Sequence, residues 1–345
     1  MSTETIADAI ETQGEERENW KQRWGFLILS GIIMVFYSEK MYWYIQGYSY
    51  VELVLWYLIG VYSFFWAISY FKINHFWPMF LAAVLYPLYV EGAFTGIITA
   101  DLTTVMLAYF VGWHTTLSVI VGWYYHRKWL IHDEKRKLIG TSILLGLFFG
   151  VWASTFWLPE NVNDPELSIE NGFRVGQWSI LDYSLLLLYL GTIYVISHYL
   201  LGRWSVWSGK FTPTKIENIL FVLSLLLFLS LQLIAYGVLA LYLIILYLVV
   251  LWILSRYKAK RIDDTTIFQR LRGRVRLDTV LTLYLIPIFA ILGYSFMYIG
   301  NFGDNLIRVL FAITYSTQVI YGYVLMLFAG YKTIKYQAEN GTDEI

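Results

Sequence analysis

The chain has 345 residues, of which 58% are hydrophobic and 14% charged, with 25 basic and 25 acidic side chains and a net charge of zero. An ordinary soluble domain carries roughly 25% charged residues, so this composition excludes one, and zero net charge offers no electrostatic footprint for nucleic acid. The absence of cysteine excludes disulfides, thiolate metal sites, iron–sulfur clusters and a cysteine nucleophile.

Residues 1–23 form a polar, acidic tail in which Glu4, Asp8, Glu11, Glu15, Glu16 and Glu18 precede Lys21 and Arg23. A secretory signal begins basic and then turns apolar, so this reads as a cytoplasmic tail ahead of an uncleaved anchor. Apolar segments follow at 24–46, 50–71, 76–98, 102–125, 138–158, 178–200, 217–236, 238–256, 278–300 and 305–331. Each is close to the ~20 residues that a helix needs to cross a bilayer. Runs such as 239–254 lack the period-two alternation of a membrane β-barrel. The fold class expected is therefore all-α, a polytopic membrane protein of about ten helices.

Charge sets the expected orientation. Of all Lys and Arg, only Lys40, Arg174 and Arg308 fall outside the two tails and alternate loops. Basic residues concentrate in cytoplasmic loops, which places 72–75, 126–137, 201–216 and 257–277 inside, together with both termini. The loop at 159–177, with Glu160, Asp164, Glu166 and Glu170, lies outside. A tight outer turn at Tyr236-Gly237-Val238 must separate two helices. The expected domains are the tail 1–23, a membrane domain 24–331 and a cytoplasmic tail 332–345. Five plus five spans permit an inverted repeat with halves 24–158 and 178–331. The plasma membrane is the expected location.

Charged residues inside a membrane are costly and are candidates for function. Glu91 lies about 10 Å below the outer end of the third segment at 1.5 Å per residue, at a depth similar to Glu39 and Lys40. A Lys40–Glu91 ion pair is expected, with fixing helix register as the plainer role for it. Asp101 opens the fourth segment, where a carboxylate complements the helix dipole. His114 counts to about 20 Å deep, too far from Glu91 for contact. Gln232 and Gln318 add polar groups to the seventh and tenth segments and complete the candidate substrate or proton-binding set. His126 and His198, near the inner ends of the fourth and sixth segments, offer a haem ligand pair as an alternative.

Arg270, Arg272, Arg274 and Arg276 follow one another at every second residue and are expected to contact anionic lipid, each worth about 1 kcal/mol near the surface. No metal and no cofactor is expected, since neither H-E-x-x-H nor a nucleophile elbow is present. The functional expectation is a secondary transporter or flippase for a small or lipidic substrate, with proton coupling through a polar site that opens outward. A membrane enzyme acting on a lipid or isoprenoid is the alternative.

Overall fold

A computed structural model of the chain describes residues 20–40, 50–100, 103–157, 179–203, 210–259, 265–300, 302 and 304–335. Among these there are helices and no strand. Helix α1 runs Trp20–Val35 and continues as a π-helical stretch, Phe36–Lys40. Then come α2 (Tyr50–Tyr70), α3 (Phe76–Phe94), α4 (Val105–Ile131), α5 (Lys135–Trp157), α6 (Ile180–Arg203), α7 (Lys215–Tyr236), α8 (Leu239–Ala259), α9 (Leu277–Gly300) and α10 (Asp304–Lys335). Among the described residues, nine helices, α2 to α10, are long and apolar enough to cross a membrane. The chain is thus an α-helical membrane protein.

The layering runs opposite to that of a soluble protein. Helix α3 has the lowest mean hydropathy of the nine, 1.2, yet 89% of its most apolar stretch is buried. Helix α7 has the highest, 2.5, with 17% buried. Leu223, Leu227 and Ile234 of α7 are exposed, which suits contact with hydrocarbon. Helices α3 and α4 sit inside, where polar side chains find partners instead of lipid, while α10, at 1.4, departs from the trend with 11% buried.

One end of the bundle gathers the basic loops. Thr214 caps α7 by accepting from the Glu217 amide, while the Glu217 carboxylate accepts from the Thr214 amide. Such a capping box satisfies two orphan amides. The same carboxylate takes Arg23 of α1 at 3.0 Å. The Ile267 amide donates to the Ile73 carbonyl at 2.7 Å, and the Tyr257 hydroxyl donates to Asn74 at 2.6 Å. Gly237, with φ 59, makes the expected turn between α7 and α8; a positive φ is easy only for glycine.

The loop before α9 is built into this end. Ile267, Phe268, Leu271 and Val275 are buried, and Phe268 meets Phe26, Phe65 and Trp123 edge-on at 5.0 to 6.3 Å. Arg270, Arg272, Arg274 and Arg276 are exposed. After the short helix Ile267–Arg270, Leu271 and Val275 are buried while Arg272, Arg274 and Arg276 are exposed, and this alternation accounts for the arginine spacing there. Arg127 of α4, 2% exposed, holds the loop from beneath. Its guanidinium donates to the carbonyls of Leu271, Gly273, Leu201 and His198 at 3.0 to 3.5 Å.

Candidate functional site

Three buried ionisable side chains meet in the half of the bundle away from the basic end. Glu39 is 8% exposed, Glu91 3% and His114 1%. Each stands on a π-helical stretch: Phe36–Lys40 in α1, Leu88–Phe94 in α3 and Val111–Tyr125 in α4. A π-helix is rare, and its one-residue excess re-aims side chains and releases carbonyls, often at functional sites.

The sequence causes one of these breaks directly. Pro87 has no amide proton, so the carbonyl four residues back, at Ala83, loses its helical donor. Thr115 of α4 replaces that donor through its hydroxyl, 3.4 Å away. Thr115 adjoins His114, so the contact that repairs α3 also positions the imidazole. In α1 the Tyr37 carbonyl accepts from Trp113, the other neighbour of His114, at 3.3 Å. On the far side α10 crosses α4 at Gly112, where any β-carbon would strike the Gln318 backbone, and at Gly322, where it would strike Ala108. Phe110 stacks on His114 at 5.2 Å.

Within the site, His114 Nε2 lies 3.2 Å from Glu91 Oε1. The Tyr57 hydroxyl of α2 touches Oε1 of Glu91 at 3.1 Å and makes a shorter contact with Glu39. Thr95 donates to Glu91 Oε2 at 3.2 Å. Next to Glu39, Ser38 bridges the Tyr86 hydroxyl at 3.0 Å and Ser118 at 2.8 Å. Tyr57 owns one hydroxyl proton but faces two carboxylates. The second contact therefore needs another proton, or a cation, between the acids. Two bare carboxylates at this depth would cost several kcal/mol each.

Glu91 and His114 are thus in contact, which corrects the expected separation in depth. Counting 1.5 Å per residue assumes unbroken α-helix. Helix α3 instead turns π-helical after Pro87 and ends at Phe94, the chain returns through a four-residue helix, Ile97–Ala100, and α4 is itself π-helical around His114. Glu39 shares Tyr57 with Glu91. The side chain of Lys40, and all of Asp101, lie outside the described residues.

Gln232 is close in space but plays a different part. It donates to the Ala93 carbonyl at 3.0 Å and accepts from Thr99 at 3.3 Å, closing the broken end of α3. Gln318 is 8% exposed, on the α10 turn that meets Gly112. Tyr57, Ser38 and Ser118 join the site without having been picked out in the sequence. Only Ser38, adjacent to Glu39, carried a local hint.

Toward the basic end a second polar cluster lies within the core. His126 Nδ1 is 2.7 Å from the Tyr194 hydroxyl and 3.3 Å from that of Tyr37. The His126 and His198 rings are 6.5 Å apart, and the Tyr194 ring packs edge-on at 4.8 Å against His198. Tyr194 thus touches both histidines, by a hydrogen bond to His126 and edge-on to His198.

The Glu39, Glu91 and His114 ligand atoms all lie within 4.8 Å of one another, so the expectation of no metal centre meets a group able to hold one. No protein-family model, curated protein or solved structure matches this chain.

Proposed function

We propose that this chain is a cation-coupled secondary transporter or flippase for a small or lipidic substrate, working through Glu39, Glu91 and His114. The observation that carries the reading is the meeting of two buried carboxylates from separate helices at one tyrosine hydroxyl and one imidazole. Such a site must carry a compensating cation, a proton in the simplest case. Loading or releasing that cation changes the charge of a site shared by α1, α3 and α4. A charge change in a buried site alters which packing of those helices is favoured, which is what coupling requires.

Reconstitution into proteoliposomes tests this directly. Cation-gradient-driven movement of a solute, or of labelled lipid between leaflets, is the expected result. Chemical turnover of a lipid or isoprenoid without net movement would replace the reading with a membrane-embedded enzyme.

The orientation proposed has the basic end, both termini and the Arg270–Arg276 arginines in the cytoplasm of a plasma-membrane protein, with α1 as the first of ten spans in two halves of five. Support comes from the charge asymmetry and from the basic loops meeting at one end. Anionic lipid is proposed to sit against those arginines. A cleft of about 610 Å³ lined by Arg203, Arg274, Arg276, Asp278 and Leu281 adjoins them, with Arg276 paired to Asp278 and Asp133. A reporter fused at Gly273 is expected to read cytoplasmic, and one at Asn171 external. Neutralising Arg270, Arg272, Arg274 and Arg276 together should reduce co-purified anionic lipid and mix the orientation at Gly273. An external Gly273 in the unaltered chain would refute the assignment.

A further inference from the structure

The cation that accompanies the buried carboxylates need not be a proton. We propose that Glu39, Glu91 and His114 form a binding site for one divalent first-row transition cation, of the Mn²⁺, Fe²⁺ or Zn²⁺ kind. The inference uses the same site as the transport reading but does not depend on transport.

Geometry comes first. One atom from each of the three residues lies within a 4.8 Å span, on three different helices. Around an ion at about 2.0–2.2 Å from oxygen and nitrogen, ligand atoms stand about 3.3–3.6 Å apart in a tetrahedron. Binding therefore draws the widest pair inward by up to about 1.5 Å, a movement that takes side-chain torsions. The Tyr57 hydroxyl is already in contact with both carboxylates and can keep donating to Glu39 while the other lone pairs turn to the ion.

His114 is 1% exposed and its Nε2 faces Glu91 at 3.2 Å, so this is the nitrogen that would ligate the ion as a lone pair, with the ring proton on Nδ1. Local backbone form points the same way. All three candidate ligands sit on π-helical stretches, and each such stretch costs regular helix hydrogen bonding. Three breaks converging on one point indicate a requirement at that point.

The donor set selects the class of ion. Two carboxylates and an imidazole suit Mn²⁺, Fe²⁺ and Zn²⁺. Calcium takes six to eight oxygen ligands, and magnesium keeps several waters, which this buried, nitrogen-containing site does not favour. Binding two carboxylates to a dication neutralises them, removing the charge deficit at the site. Protons resting on the acids or on Nε2 leave to solvent as the ion enters.

The test uses the full chain, purified in nanodiscs, stripped with chelator and titrated with Mn²⁺ alone. Electron paramagnetic resonance of free Mn²⁺ should show one ion bound per chain, displaced by Zn²⁺ but not by Mg²⁺ or Ca²⁺ at equal concentration. Electron spin-echo modulation on the bound ion should show one directly coordinated nitrogen, a readout on the unaltered chain that depends on no variant folding. Glu91→Gln and His114→Gln should each weaken binding by at least about tenfold, as loss even of a supporting outer ligand does, whereas Glu134→Gln at the surface should not. Absence of the nitrogen signal, equal competition by Mg²⁺, or binding unchanged in well-folded Glu91→Gln would overturn the proposal. Mn²⁺ binding without any transport would leave this site standing and remove the transport reading. Proton-driven flux in metal-free protein without Mn²⁺ binding would do the reverse.

Discussion

Replacing Arg127 by methionine is expected to give the largest loss of stability of any single change at the basic end. The guanidinium is 2% exposed and donates to four carbonyls, at the end of α6 and in the loop that closes onto the bundle. The Leu201 carbonyl belongs to the last turn of α6, which has no helical donors of its own, and a cation there also complements the helix dipole. Methionine keeps the length of the stem and removes every donor. Each carbonyl left buried without a donor costs about 1–3 kcal/mol. Some will find substitutes, so a total of about 3–5 kcal/mol is expected, comparable with breaking a buried ion pair. Lysine should recover only part of it, because a single ammonium cannot span acceptors that a planar fork reaches together. Thermal unfolding in detergent, with proteolysis at residues 265–276 as the local readout, measures the effect. Unchanged unfolding and an equally protected loop in Arg127→Met would show that the apolar contacts of Phe268 and Leu271 hold the loop by themselves.

The membrane helices were legible in the sequence because lipid demands a simple signal. Ten apolar segments were expected, and among the described residues nine of them appear as long helices, with ends close to the sequence limits at Tyr50–Tyr70 and Lys215–Tyr236 and up to six residues away at Val105–Ile131. The turn at Gly237 was legible for the same reason, since a glycine interrupts an otherwise continuous apolar run. Glu39, Glu91 and His114 could be picked out singly, because a charge or an imidazole inside such a run stands out.

Their meeting was not legible. It depends on π-helical stretches that change depth and facing, and hydropathy carries no trace of them. Pro87 was the one visible signal, but its consequence runs through the Ala83 carbonyl to Thr115 on another helix, which no count along the chain reveals. Tyr57 was hidden by the abundance of tyrosine: among 29 of them, nothing local separates a hydroxyl placed between two carboxylates from one in an interfacial belt. Gln232 was visible as polar and proved to close a helix break. Here the polar residue serves the backbone, a role that sequence spacing does not distinguish from ligand binding.

The central claim is that the carboxylate pair carries the function, and Glu91→Gln tests it most directly. Glutamine keeps the shape and can still accept from one of Tyr57 and Thr95, which now meet different oxygens, but it cannot hold a negative charge or exchange a proton. In proteoliposomes matched for protein content, orientation and unfolding temperature, Glu91→Gln is expected to lower flux by about 100-fold or more, the scale seen when a proton-exchanging group is removed. Glu39→Gln should approach the same loss, because it shares the Tyr57 hydroxyl, and Lys40→Met should be milder. A folded Glu91→Gln protein that transports at the unaltered rate would contradict the account and leave the Glu39–Glu91–His114 cluster a structural tie between α1, α3 and α4.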